Sequence, residues 1–235
     1  MRRREFLVTG SAAALIVSTT SVMSGSNLSD ANKLSPPDGP IHVAFAMSRG
    51  ATMIDFAGPW EVFQDVMVRK NKNDENHVHP FRLYTVSEKT DPIEASGGMK
   101  IVPDHTFETA PTPKIVVIPA QAGSPALHAW LRKIVDSTDV TMSVCTGAFQ
   151  LGRAGLLSGK EATTHHDFSN QFAKAFPDVK LKRGLRFVEG AKISTAGGLT
   201  SGIDLALRVV ERYYGRETAE QTAFYMEYQS KGWIV

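Results

Sequence analysis

Apolar residues in this chain fall into short runs that alternate with stretches of helical spacing. Ile41 to Met47 (IHVAFAM) is a short apolar run and predicts a first buried strand. Beyond Asp55, the residues Trp60, Val62, Phe63, Val66 and Met67 recur at helical spacing, which predicts a helix running to about Lys70. Asn71 to His79 is polar and reads as a surface loop, and Phe81 to Ser87 (FRLYTVS) reads as a second strand. Gly97-Gly98 marks a turn ahead of a hairpin arm at Met99 to Val102. Lys114 to Pro119 (KIVVIP) predicts a central strand, Ala126 to Val135 a helix, and Val140 to Val144 (VTMSV) the next strand. That strand meets Cys145 directly, and a helical stretch follows from Gly147 to about Ala154. Thr163-Thr164 opens another element, and Phe168 to Phe176 a short helix. Leu185 to Val188 and Lys192 to Thr195 form a hairpin around Glu189-Gly190. Gly202 to Tyr214 reads as a long amphipathic helix, and Thr218 to Tyr228 as the last one. Strands alternating with helices imply an α/β fold with a mostly parallel central sheet covered on both faces, a three-layer sandwich.

The start of the chain departs from this pattern. Arg2, Arg3 and Arg4 precede a moderately apolar, Ser/Thr-rich run from Val8 to about Val22, the layout of an export signal. The Arg-Arg-x-Phe-Leu order at Arg3 to Leu7 resembles a twin-arginine signal, which implies transient contact with that export machinery and a periplasmic location. A basic terminus without a signal function, or an uncleaved anchor, is the alternative. Residues 23–39 read as a flexible tether. The chain thus divides into a signal and linker, 1–39, and one domain, 40–235. Hydrophobic residues make up 42% and charged residues 21%, an ordinary globular composition. The net charge of +2 owes much to the leading arginines, so the domain lacks the clustered basic face that nucleic-acid binding requires. One cysteine allows no internal disulfide, so packing must supply the stability.

That cysteine carries the main chemical signal. A strand, then Cys145-Thr146-Gly147, then a helix is the layout of a nucleophile elbow, beyond the carboxyl end of a strand where open α/β sheets bind ligands. A helix N-terminus behind the sulfur would favour thiolate, so a lowered Cys145 pKa is expected. An inert buried thiol is the alternative. Asp55 follows the first strand by a short loop and can reach the same sheet edge, or it can simply cap the helix ahead of Gly58, Pro59 and Trp60. A carboxyl beside a thiolate should have a raised pKa. His165 and His166 are adjacent and no third ligand is evident, so no metal site is expected. No G-x-S-x-G and no phosphate-binding Gly-rich loop occurs, so neither a serine hydrolase nor an organic cofactor is implied.

The segment SVCTGAFQLGRAGLLSGKEATTHH (Ser143 to His166) resembles the cysteine elbow of the ThiJ/PfpI superfamily, within the class I glutamine amidotransferase-like, flavodoxin-like fold. IDFAGPWEVF (Ile54 to Phe63), STAGGLTSGIDLALRVVERYYG (Ser194 to Gly215) and MEYQ (Met226 to Gln229) are similar to one branch of it, which holds isocyanide hydratases and the amidase-like domains of AraC-type regulators. The resemblance spans Ile41 to Tyr228. It implies a nucleophile at Cys145, an acid/base carboxyl at Asp55 and a functional role for Thr146, which follows the nucleophile. A substrate or oxyanion pocket is implied around Ala120, Gln121, Gly147 and His165, with Gly197-Gly198 and Asp204 opening the long C-terminal helix. Ala120 and Gln121 replace the family's Gly-Gly, and His166 stands where the branch commonly has Trp. The resemblance further implies a homodimer acting on a small molecule. Three readings result: a hydro-lyase resembling isocyanide hydratase, a small-molecule-binding domain without turnover, and a redox or aldehyde stress protein.

Overall fold

A computed structural model describes residues 32–69 and 76–235. The proposed export signal lies outside the described residues. The central sheet has seven strands: β1 (Ile41–Ala46), β2 (Phe81–Ser87), β3 (His105–Thr106), β4 (Ile115–Ile118), β5 (Val140–Ser143), β6 (Phe187–Val188) and β7 (Ile193–Ala196). Their order is β6-β7-β5-β4-β1-β2-β3. All neighbours run parallel except the β6–β7 hairpin, where Phe187 lies opposite Ala196. Helices α1 (Met53–Asp65), α5 (Ser201–Tyr214) and α6 (Arg216–Tyr225) pack together and, with the sheet, build one core. Helices α2 (Pro125–Ile134), α3 (Ala148–Arg153) and α4 (Ser169–Ala175) belong to the other.

The two cores explain why the strands read as continuous apolar runs. In β1, Ile41, Val43 and Phe45 enter the α1/α5 core while Ala44 and Ala46 enter the α2/α3 core. In β4, Ile115 and Val117 face one way and Val116 and Ile118 the other. A strand with both faces buried has no solvent face to hold polar residues. Each such large side chain contributes about 1.5–3 kcal/mol through burial.

Three local departures from the sequence-based expectation have physical causes. Helix α1 ends at Asp65 rather than near Lys70, because Val66 turns to extended backbone (ψ 125) and Val68–Arg69 then pairs with His77–Val78. The His79 ring nitrogen lies 2.9 Å from the Gln64 carbonyl, one of those left over at that helix end. Helix α5 has the amphipathic pattern its spacing predicts, but its polar face is buried too. Its Arg208, Glu211 and Arg212 are covered, and ion pairs satisfy the charges: Arg208 with Glu189 (2.7 Å) and Glu211 (3.0 Å), and Arg216 with Glu211 (2.8 Å). Finally, the tether is fastened part-way along. Arg212 Nε donates to the Asn32 carbonyl (2.9 Å), and the Leu34 amide donates to the Arg212 carbonyl (2.8 Å).

Candidate functional site

The turn after β5 is a strained elbow. Cys145 has φ 58, in the left-handed region, which costs a residue with a side chain about 1–2 kcal/mol. The surroundings hold it there. The Cys145 amide donates to the Gly197 carbonyl (2.7 Å), the Val144 amide to the Ile118 carbonyl (3.0 Å), and the Thr164 hydroxyl to the Cys145 carbonyl (2.9 Å). Gly147 is required by close approach, since a Cβ there would lie 2.1 Å from the Ile118 carbonyl oxygen. Its amide donates to the Val144 carbonyl (2.9 Å), so Gly147 closes the turn and offers no N–H to a ligand. Thr146 places both its N–H and its hydroxyl near the Cys145 sulfur as donors.

Asp55 sits in the first turn of α1, is fully buried, and does not cap its own helix. Its Oδ2 instead accepts from the Ala120 amide at 3.0 Å, across the crevice between the ends of β1 and β4. Its Oδ1 has no hydrogen-bond partner among the described residues. The Cys145 thiol and the Leu199 N–H lie close enough to draw its pKa down against the effect of burial without closing a regular hydrogen bond. Leu199 is a second strained residue (φ 53), and its N–H acts on both Asp55 and Cys145. The structure thus gathers Asp55, Ala120, Cys145, Thr146 and Leu199 at one sheet edge.

The electrostatics correct one expectation. Burial raises Asp55 from 3.8 to about 6, as a carboxyl in this setting should be raised. Cys145, however, is pushed up to about 11 rather than lowered, by burial first and by the Asp55 carboxylate second. The helix behind it supplies little help: Cys145–Gly147 is a single tight turn and α3 is only six residues long. At neutral pH the pair therefore holds one proton, on sulfur, with Asp55 as the base beside it.

Asp55 also predicts a pH effect on stability. Below about pH 4 the carboxyl is protonated in both folded and unfolded chains, and its folding contribution is intact. As pH rises through about 6, the unfolded chain has already ionised and the native state loses up to about 3 kcal/mol. Asp55→Asn, neutral throughout, is expected to raise stability by about 2 kcal/mol at pH 7. Urea unfolding at pH 7 and pH 4 checks this; the gain should vanish at the lower pH.

The remaining sequence-predicted residues lie around this centre. The Gln121 side chain donates to the Ala46 carbonyl (2.8 Å), and its Oε1 is buried without a hydrogen-bond partner among the described residues. A cavity of about 140 Å³ beside the elbow is lined by Gln121, Thr146, Phe149, Gln150, Arg153 and others. His165 packs its ring on Gly198 and lines a cavity of about 370 Å³ with Arg186, Leu199 and Thr200. Cys145 lines neither cavity. His165, His166 and Asp167 place ligand atoms within 4.8 Å of one another, so Asp167 is the third donor that sequence reading missed. His165 Nδ1, however, accepts the Asp167 amide, and His166 and Asp167 are exposed. Asp204 joins Arg186, Tyr228 (3.1 Å) and Ser230 (3.3 Å) in a structural network away from the sulfur. Leu199 and Thr164 were missed because they act through a backbone N–H and a distant hydroxyl, which no local pattern marks.

Comparison with known proteins fits this geometry. Residues 41–212 match the model of the DJ-1/PfpI family. An isonitrile hydratase of Pseudomonas putida is 27% identical over 194 residues, covering 80% of this chain and 78% of that one. The regulator CdhR of Pseudomonas aeruginosa is 32% identical over 153 residues, 63% of this chain but 45% of that protein, so the chain spans under half the regulator's length. Among solved structures, a ThiJ/PfpI family protein from Pseudomonas syringae superposes with TM-score 0.70 at 24% identity, over 90% of this chain and 84% of that one. With an α/β sandwich, a cysteine elbow and a family match across most of its length, this chain belongs to the DJ-1/PfpI family.

Proposed function

We propose that this chain is a cysteine-dependent hydro-lyase that hydrates isonitriles to formamides, exported by a twin-arginine route to the periplasm and working as a homodimer. One observation carries the chemistry: a buried carboxylate oxygen without a hydrogen-bond partner among the described residues lies beside a thiol on a strained elbow. The likeness to an isonitrile hydratase supports the substrate class.

The reaction follows from where the one proton sits. Sulfur attacks the terminal carbon of the isonitrile while its proton passes to Asp55. That carbon has carbene character, and Asp55, now an acid, protonates it, leaving a thioimidate on Cys145. Water then adds to the same carbon, with one proton going to nitrogen. The C–S bond breaks and the remaining proton returns to sulfur, giving the formamide and free thiol. An Asp55 titrating at about 6 suits it to take and return a proton near neutrality. Thr146 and Leu199 N–H groups stabilise negative charge on sulfur along the way.

The test is an assay of purified protein with alkyl and aryl isonitriles, following formamide. Turnover with the wild type and none with Cys145→Ala is expected; inactive wild type, or an active variant, contradicts the proposal. The export reading is checked by fractionating cells: Arg3→Lys with Arg4→Lys should keep the protein in the cytoplasm.

A second reading, a small-molecule-binding domain, is favoured by the buried, protonated sulfur and by the likeness to CdhR. Binding that survives Cys145→Ser, with no turnover by the wild type, would select it. The redox reading is the least supported, because a thiol held protonated reacts slowly with peroxide.

A further inference from the structure

Gln150 on α3 is buried and has no place in the chemistry above. Its Nε2 donates to the Gln121 carbonyl (3.0 Å) and reaches the Ala122 carbonyl (3.5 Å), while its Oε1 lies 2.8 Å from His128 Nε2 on α2. The orientation is forced. Two carbonyl oxygens on one side demand the amide NH2, so Oε1 must face His128, which then carries its proton on Nε2. Gly123 is shaped to the same side chain: its φ is +73, and a Cβ there would lie 2.0 Å from Gln150 Oε1.

The loop 120–123 is tied on its other side to the β1–α1 connection that leads to Asp55. Thr52 N donates to the Ala120 carbonyl (2.9 Å), Ala122 N to the Arg49 carbonyl (3.0 Å) and Gly123 N to the Ser48 hydroxyl (2.9 Å). Gln150 links the same loop to the helix that begins just after Cys145. One side chain thus bridges the half of the site carrying Asp55 and the half carrying sulfur.

We propose that Gln150, oriented by His128, is a positioning residue that fixes the 120–123 loop between the elbow and Asp55, so that the Ala120 N–H stays on the carboxylate. It touches neither the sulfur nor the carboxylate and acts only through the loop. The inference rests on Asp55 and Cys145 working as a pair, but its test requires no isonitrile.

The test is the pH dependence of Cys145 alkylation by iodoacetamide, with each variant's fold checked by thermal unfolding. Among the described residues, the titratable group facing Asp55 is the Cys145 thiol, and the Ala120 and Leu199 amides are its other neighbours. Since the Ala120 hydrogen bond lowers the Asp55 pKa, loosening it should move the acid limb of the profile to higher pH. Gln150→Met, similar in shape but with no donor, is expected to shift that limb upward and cut kcat for isonitrile about tenfold with KM little changed. His128→Ala removes only the outer partner and should give a smaller shift of the same sign, which His128→Gln restores. It also serves should Gln150→Met not fold. A folded variant whose limb coincides with the wild type overturns the proposal, even if stability falls. A shifted limb in a protein without isonitrile turnover upholds it and sinks the hydratase reading alone.

Discussion

Cys145→Ser is expected to fold normally and to lose turnover by about 10⁴-fold or more. Serine fits the space of the thiol and keeps the elbow's backbone bonds to Gly197 and Thr164, none of which uses the sulfur. The hydroxyl, however, is a far weaker acid and nucleophile, and Asp55 at about 6 is too weak a base to deprotonate it. Formamide production and the thermal midpoint, measured on the same preparation, separate the two effects. A variant that loses both would place Cys145 among the structural residues instead.

Gly147→Ala is expected to be the most damaging single methyl in the chain's active half. The new Cβ would lie 2.1 Å from the Ile118 carbonyl oxygen and 2.9 Å from that of Pro119, backbone atoms of the last residue of β4 and the one after it. Neither can swing aside as a side-chain tip would, so either β4 and the elbow part or the turn opens. A loss of at least about 3 kcal/mol in urea unfolding follows, together with loss of activity. Gly155→Ala makes a useful comparison. Among the described residues nothing beyond its chain neighbours lies within 4 Å of the added Cβ, but φ is +75, so its cost is strain alone, about 1 kcal/mol.

The fold was legible because its strands are buried on both faces. Runs such as IHVAFAM and KIVVIP carry apolar residues at all but one position each, which a solvent-facing strand would not. The elbow was legible because strand, Cys145, Thr146 and Gly147 stand together in sequence. Other features were hidden for reasons of distance. The end of α1 depends on a pairing between Val68–Arg69 and His77–Val78 that helical spacing at Val66 and Met67 cannot reveal. Leu199 acts through backbone alone, Gln150 through a loop almost thirty residues away, and Arg212 by holding a segment 180 residues earlier. The sign of the Cys145 shift was misread because motif order conveys a helix behind the sulfur. It conveys neither the shortness of that helix nor how completely the thiol and its carboxylate neighbour are covered.

All of the chemistry depends on one proton shared between Asp55 and a thiol that a reagent can reach. The most direct measurement is the rate of Cys145 alkylation by iodoacetamide in the native protein from pH 4 to 10, with mass spectrometry to locate the adduct. A rise centred near pH 6 that disappears in Asp55→Asn is the predicted result. A single rise near 8.5, the value of an ordinary free cysteine, unchanged by Asp55→Asn, would contradict it, as would a sulfur that reacts only after unfolding.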